Sequence, residues 1–237
     1  MLEKLRKDRK QMLTDYHCHI LPGIDDGAKD TEMSLGMLEK MKEQGVSRVI
    51  ATPHFYAHRE RDIKTYLEKR SAAFRKIGDR IGKIDLRLGA EIAIERGISG
   101  LDGIEKLAAE GTDLILLELP YRQYENFMSE EIYNISAEYG LTVVIAHIHR
   151  YLKYYSKDEM KTILDSKAIF QVNCEAFASF RERRFVRKLI KEGFPLIFGS
   201  DCHDLDKRRP NWDILKKKVP GEIISAADSV LDEHLLV

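Results

Sequence analysis

Cysteine is scarce in this 237-residue chain and poorly placed for structural chemistry. There are three, Cys18, Cys174 and Cys202, an odd number with no CxxC pair, which argues against a disulfide framework or a thiolate zinc site and for a reducing compartment. An excess of one charge is missing as well. Lys plus Arg and Asp plus Glu stand at 39 each, so no overall field draws the chain to nucleic acid or to a membrane, and an anionic ligand must be recognised locally. No apolar run follows the basic, helix-prone start MLEKLRKDRKQM that could serve as a signal peptide or membrane span. These absences predict a cytoplasmic protein without stable membrane insertion or a nucleic-acid partner, with residues 1–11 as a solvated basic extension. No internal repeat or low-complexity linker divides the chain, so 1–237 reads as a single domain large enough for one substantial core.

What is present is a rhythm. Short apolar runs of strand type, MLTDYHCH, VSRVIATPH, IDLRLGAEIAI, TDLILLELP, LTVVIAHIH, AIFQVNCEA and PLIFGSDCH, alternate with amphipathic runs of helix type. The helices are expected at Asp30–Gln44, closed by Gly45, and at Arg59–Arg80, Phe127–Tyr139, Lys157–Ser166, Arg181–Glu192 and Ile223–Leu236. Strands that are apolar almost throughout indicate a parallel sheet covered on both faces. Seven strands in regular βα alternation favour an α/β barrel over an open doubly wound sheet.

The polar residues sit where such a barrel does chemistry. His17 and His19, one residue apart on a strand, project to the same side. His54, Glu91, Glu118, His147, Asp201 and His203 also fall at the carboxyl ends of expected strands, which form a single rim. Each alone has an ordinary reading, as a hydrogen-bonded histidine or a helix-capping aspartate, and Asp25 and Asp26 belong with these. A carboxylate inside LILLELP or LGAEIAI is different, because it needs a partner or a metal to offset desolvation. Together these groups make a donor set of imidazole and oxygen without thiolate, suited to Mn²⁺, Zn²⁺ or Fe and larger than one ion requires. Two or three divalent ions are therefore expected, an arrangement suited to activating water in hydrolysis, often at phosphorus.

DYHCHILPGIDDG, ATPHF, GAEI, LELP, VIAHIHRY and GSDCHDLDKRRP, taken in order, resemble the metal-binding motifs of the PHP (polymerase and histidinol phosphatase) superfamily. The likeness runs from about Asp15 to Pro210, and DDG and AHIxRY are most similar to its bacterial protein-tyrosine phosphatase branch, of the CpsB and YwqE type. The resemblance implies a distorted (β/α)7 TIM-like barrel (PHP fold) with three metals, Mn²⁺ by preference. His17, His19, Glu91 and Asp201 would hold the first, Glu91 would bridge to a second on Glu118 and His147, and Asp26, His54 and His203 would hold the third. Arg150 and Arg208 match phosphate-binding positions, and Asp204 or a metal-bound water would serve as general acid. The implied reaction is hydrolysis of phosphotyrosine by a metal-activated hydroxide. Its implied substrate is a phosphotyrosine-bearing protein, a bacterial tyrosine autokinase controlling capsular or exopolysaccharide synthesis, and homo-oligomer formation stays open. His149 stands where the family often carries Glu, as an added ligand or a rim residue.

Rival readings remain open. A histidinol-phosphate type of small-molecule phosphatase, another phosphoesterase or a nuclease would use the same site, although neutral charge and the lack of a basic groove weigh against a nuclease. Cys202 to Arg208 satisfies the CX5R spacing of cysteine-dependent phosphatases, but Asp204 and Asp206 lie within the run, where they would repel phosphate and raise the thiol pKa. A metal amidohydrolase would usually carry a lysine on the fourth strand, where Glu118 stands. A noncatalytic partner of an autokinase would show no metal-dependent phosphate release. Tyr121, Tyr124, Tyr151, Tyr154 and Tyr155 pack on the rim or line the entrance.

Overall fold

Runs of Val, Ile and Leu that can be buried on both faces pair as parallel strands. The computed structural model describes residues 12–236, and the basic extension at 1–11 lies outside them. Its strands are β1 (Leu13–Cys18), β2 (Val46–Ala51), β3 (His54–Phe55), β4 (Asp85–Leu88), β5 (Glu91–Ala93), β6 (Leu114–Glu118), β7 (Thr142–Ile145), β8 (Ile169–Asn173) and β9 (Leu196–Gly199). The helices are α1 (Thr31–Glu43), α2 (Ile63–Arg75), α3 (Phe127–Tyr139), α4 (Lys157–Leu164), α5 (Phe180–Lys191), α6 (Trp212–Lys216) and α7 (Gly221–Glu233).

All pairings are parallel, in the orders β1-β2-β4 and β3-β5-β6-β7-β8-β9. β3 continues the path of β2, and β5 that of β4, so the seven expected strands are present with two of them interrupted. Pro53 explains one break, because it has no N–H for the ladder. At the other, a Cβ on Gly89 would lie 3.2 Å from Ile50 Cγ2. Single hydrogen bonds carry the ring across these gaps: Thr52 N–H donates to Cys18 O (2.9 Å) and Glu91 N–H to Pro53 O (3.1 Å). A parallel bridge between Cys18 and Cys202 and the bond from Asp201 N–H to His17 O (2.7 Å) join the last strand to the first. The result is the distorted seven-stranded barrel.

The core has two layers. Outside the ring, side chains such as Met37, Leu117, Ile145 and Val172 pack between strands and helices, while Tyr16, Ile50, Leu116, Val144, Ile169 and Ile197 fill the barrel with Leu231 of α7 beneath them. Tyr16 Oη fixes that floor by accepting from Leu231 N–H (2.8 Å) and donating to Ala227 O (2.9 Å). Tyr16 belongs to the filling and His17, the next residue, to the rim. Strand alternation forbids two neighbours on one side, and a register shift between Asp15 and Cys18 supplies the bulge that permits it.

Helix boundaries follow their caps. Asp30 opens α1 by accepting from Met33 N–H (2.8 Å), as expected. The helix expected over Arg59–Arg80 is shorter at both ends: Asp62 caps it by accepting from Thr65 N–H (2.6 Å), and Gly78–Arg80 is a separate 3₁₀ turn. Lys157–Leu164 begins with a complete capping box between Ser156 and Glu159.

Candidate metal centre

The rim gathers side chains from all seven barrel strands or the turns just after them. His17 Nε2 and His19 Nε2 are 3.2 Å apart, and each lies 3.2 Å from Glu91 Oε2. Asp201 Oδ1 stands 3.6 and 3.4 Å from the same two nitrogens. His54 Nδ1 is 3.0 Å from Glu91 Oε2, and His54 Nε2 and His203 Nε2 are each 3.4 Å from Asp26 Oδ1. On the other side His147 Nε2 approaches Glu91 Oε1 (2.8 Å) and Glu118 Oε1 (3.5 Å). Donor atoms come within chelating reach in three groups: His17, His19 and Asp201; His19, Asp26, His54 and His203; and His54, Glu91 and Glu118. All nine expected ligands thus meet in one place. The grouping is more interlocked than the expected assignment, with His19 shared between two groups and His54 beside Glu91.

Neighbouring groups aim the imidazoles. Asp25 Oδ2 accepts from His19 Nδ1 (2.7 Å), Gln171 Oε1 from His17 Nδ1 (3.2 Å) and the Asp201 carbonyl from His203 Nδ1 (3.0 Å). In that assignment all three rings keep an Nε2 lone pair for the centre. Asp15, fully buried beneath, accepts from Ser200 N–H (2.9 Å), Trp212 Nε1–H (2.8 Å) and His17 N–H (3.2 Å), tying β1 to the loop that carries Asp201. Asn173 Nδ2 donates to Asp201 Oδ2 (2.9 Å).

Backbone geometry is spent here as well. His147 and Asp201 adopt the left-handed region, with φ 30° and 50°, a conformation that costs a non-glycine residue about 1–3 kcal/mol and persists where surroundings enforce it. Two glycines let chain segments close in. A Cβ on Gly27, in the DDG turn, would fall 2.2 Å from His19 O, and one on Gly199 would fall 2.8 Å from His17 Cβ.

The electrostatics are those of a site short of positive charge. Burial would lower the His17 and His19 pKa values, yet the carboxylates of Glu91 and Asp201, joined at His19 by Asp25, hold both above the ordinary imidazole value. Burial and the Glu91 charge push Glu118 up to about 7. Burial drops His147 to about 4, leaving it neutral and able to ligate. Binding of divalent cations there would release any protons these groups carry. His54 Nδ1, His203 Nε2 and Glu91 Oε2 are buried without a hydrogen-bond partner, although imidazole and carboxylate lie next to each other. Their lone pairs converge on shared space instead of pairing donor to acceptor. Such a donor set fits divalent metal.

Both expected phosphate-binding arginines reach the centre. Arg150 Nη2 lies 2.7 Å from Asp201 Oδ2 and donates to Glu175 Oε1 (2.6 Å), and Arg208 Nη2 donates to both Asp201 oxygens (3.1 Å). Burial works against the Arg150 cation, but Asp201 and Glu175 hold it firmly protonated. Asp204 is placed differently from the expected acid: its Oδ1 accepts from Asp206 N–H (2.7 Å) and Arg208 N–H (2.9 Å), closing the turn that presents Arg208. His149 does not form a second chelate with His147. The strand stops at Ile145, a 3₁₀ turn spans Ile148–Lys153, and the His149 ring is buried with neither nitrogen hydrogen-bonded. Cys202, the cysteine of the CX5R run, is fully buried, so its sulfur is closed to substrate.

Asp15, Asp25, Gln171, Asn173 and Glu175 support the site and were not among its expected members. Gln171 and Asn173 carried a signal, since polar residues at alternate positions of FQVN point into an otherwise apolar barrel. Beside the metal centre lies a cavity of about 570 Å³ lined by Tyr121, Arg150, Lys153, Tyr154, Ser179 and Arg208, among others.

Residues 13–224 match the family model described as capsular polysaccharide synthesis, CpsB/CapC. Over 205 residues the chain is 28% identical to the tyrosine-protein phosphatase YwqE of Bacillus subtilis (strain 168), covering 83% of this chain and 79% of that protein. Over 234 residues it is 27% identical to the tyrosine-protein phosphatase CpsB of Streptococcus pneumoniae, covering 87% and 90%. A solved structure from work on these two proteins, described as unique metal-dependent tyrosine phosphatases, superposes with a TM-score of 0.78 at 21% identity, covering 95% of this chain and 96% of the other. That likeness establishes the shared barrel.

Proposed function

The chain belongs to the CpsB/CapC family of capsular polysaccharide synthesis, and from that premise we propose that it is a metal-dependent protein-tyrosine phosphatase. Its ions would sit on His17, His19, Glu91 and Asp201, on Glu91, Glu118 and His147, and on Asp26, His54 and His203, with Mn²⁺ as the working metal. Divalent ions held there would supply the chemistry of a water of lowered pKa and of charge neutralisation at a phosphoryl group. Arg150 and Arg208 take the nonbridging oxygens with their forked donors as they loosen from Asp201. Glu175 keeps the Arg150 guanidinium in place, and Asp204 holds the turn behind Arg208. A phenolate departs more readily than an alkoxide, so the arrangement suits an aryl phosphate without a dedicated acid. The physiological substrate in this reading is a phosphotyrosine-bearing bacterial autokinase of capsule or exopolysaccharide synthesis, met in the cytoplasm. Among the described residues, no helix is long and apolar enough to cross a membrane.

The observation that carries the proposal is the convergence of eight ligand-type side chains in three groups within chelating reach, with His147 beside Glu91 and Glu118, and with the buried atoms His54 Nδ1, His203 Nε2 and Glu91 Oε2 lacking hydrogen-bond partners. Release of phosphate from a phosphotyrosine peptide, a phosphoserine peptide and histidinol phosphate, each with added Mn²⁺, tests it. Phosphotyrosine is expected to be preferred, with activity abolished by EDTA and untouched by iodoacetamide. Preference for histidinol phosphate would overturn the substrate class, and loss with iodoacetamide but not EDTA would overturn the metal mechanism.

A further inference from the structure

A chain of zero formal net charge concentrates positive charge on one helix. α5, FRERRFVRKLIK, carries Arg181, Arg183, Arg184, Arg187, Lys188 and Lys191 against the single acid Glu182. Its inner side is anchored by Val186 and Leu189, which are fully buried. Phe180, Arg184, Arg187 and Lys191 recur at helical spacing on the opposite, exposed side, and Phe180 keeps 73% of its surface in water. Arg181 and Arg183 are occupied locally, donating to Leu152 O (2.7 Å) and Phe177 O (3.0 Å). Arg184, Arg187 and Lys191 form no ion pair among the described residues. Some surface cations elsewhere pair at short range, as in Lys40–Glu43, Lys69–Glu60 and Lys161–Asp165, and what sets α5 apart is that Arg184, Arg187 and Lys191 fall on one exposed stripe. The stripe on α5 is positive charge left without an internal use.

Its position gives it one. Ser179, the cap of α5, and Glu182 line the cavity beside the metal centre, together with Arg150, Lys153 and Arg208. The helix therefore begins at the mouth of the site and leads away from it. Two aromatic rings, Tyr121 and Tyr154, stand 5.3 Å apart on that cavity and are about two-fifths exposed, and Phe180 adds a third exposed ring at the helix start. The cavity's carboxylates are engaged, Glu175 with Arg150 and Glu182 with Lys153, and beyond them the surface runs from aromatic rings to the cations of α5.

We propose that the cavity and the outer stripe of α5 form one track for an extended, acidic segment of the substrate protein that flanks its phosphotyrosine. This rests on the phosphatase reading and names the kind of polypeptide the site selects. Twelve helical residues extend about 18 Å at ~1.5 Å per residue, the reach of about five residues of extended chain at ~3.3 Å each. Acidic or further phosphorylated side chains a few residues from the phosphotyrosine meet Arg184, Arg187 and Lys191 in turn. The exposed cations act chiefly through capture, so they raise association and lower KM, and salt weakens them. An anionic membrane would engage the same stripe, but it would have no use for the continuity of that stripe with the substrate cavity.

The test compares the Mn²⁺-loaded full-length protein with the triple variant R184E/R187E/K191E on p-nitrophenyl phosphate, on a phosphotyrosine peptide with neutral flanks and on one with acidic flanks. The expected result is a KM for the acidic peptide raised about tenfold in the variant with kcat kept, and the other two substrates unchanged. Binding of a labelled, non-hydrolysable acidic phosphonate peptide, followed by anisotropy, should weaken by the same factor, and 0.5 M NaCl should remove the difference. R184K/R187K should restore both readouts when made in place of the reversals with Lys191 intact. Equal KM for acidic and neutral peptides in the parent protein, or equal change for all three substrates in the variant, would overturn the track. Loss of binding to phosphatidylglycerol vesicles with the peptide KM unmoved would reassign the stripe to a membrane and equally overturn it. If p-nitrophenyl phosphate is cleaved but no peptide discrimination is seen, only this inference fails. If no metal-dependent phosphate release occurs from any aryl phosphate, the phosphatase reading fails.

Discussion

The two ends of the barrel both bury charge, and they treat it in opposite ways. At the floor, Arg48 is 4% exposed and each of its nitrogens is engaged: Nε donates to Thr14 Oγ1 (2.8 Å), Nη1 to Asp232 Oδ1 (2.5 Å) and Nη2 to the Asp228 carbonyl (2.7 Å). Asp228 Oδ1 accepts from Thr14 N–H (2.7 Å), which pins α7 under β1. At the rim, His54, His203 and Glu91 lie beside one another with buried atoms left unpaired, and His147 and Asp201 sit in left-handed backbone. Charge saturated by partners holds a fold together; charge gathered but left open is arranged for something that arrives later.

Substitutions at the two ends should therefore fail differently. Glu91→Gln removes the carboxylate that reaches four imidazoles, and phosphatase kcat should fall at least about a thousandfold with the folded state kept. Steady-state kinetics beside circular dichroism check both halves. Arg48→Met at the floor leaves Asp232 and the Asp228 carbonyl without their donor and should cost about 3 kcal/mol of stability in urea unfolding. The kcat of its folded fraction should be unchanged. Gly199→Ala sharpens the contrast, because it is an apolar change that acts on the rim. The added methyl meets His17, whose displacement should lower kcat by about a hundredfold with a smaller loss of stability.

The smallest effect probes the one loose end of the floor. Asp228 Oδ2 is buried without a partner, and burial pushes the Asp228 pKa up to about 7 from an ordinary 3.8. The folded state thus holds this proton more tightly than the unfolded chain. Its contribution is fully present below about pH 4 and is lost as pH rises through 7. Asp228→Asn keeps an acceptor for Thr14 and cannot ionise, so the variant should gain about 1–2 kcal/mol relative to the parent at pH 8 and nothing at pH 4. Thermal melts across that range measure the slope.

Much of this was legible in the sequence for a topological reason. In a parallel barrel every strand delivers its carboxyl end to one rim, so motifs as distant as DYHCH and GSDCH must meet, and reading strand ends was enough to assemble the ligands. What escaped depended on local geometry. The bulge after Asp15 breaks the alternation that a uniform strand predicts, and Pro53 divides a strand that its apolar pattern had left continuous. His149 looked like half of a second HxH because the strand was drawn through it, whereas the left-handed turn at His147 directs the chain into a 3₁₀ turn. Supporting groups such as Asp15 and Glu175 act through hydrogen bonds to residues more than twenty positions away. No spacing rule announces such partners. The amphipathic run suggests a helix start at Arg59, but the hydrogen bond that Asp62 accepts from Thr65 N–H fixes the cap three residues later.

The most direct measurement is anomalous diffraction from crystals of the full chain grown with Mn²⁺. Two or three peaks are expected within coordination distance of His17, Glu91, His147 and Asp201, with Glu91 touching more than one ion. Peaks confined to other surfaces, or none at the rim while the protein is saturated with Mn²⁺ and hydrolysing phosphotyrosine, would contradict that placement.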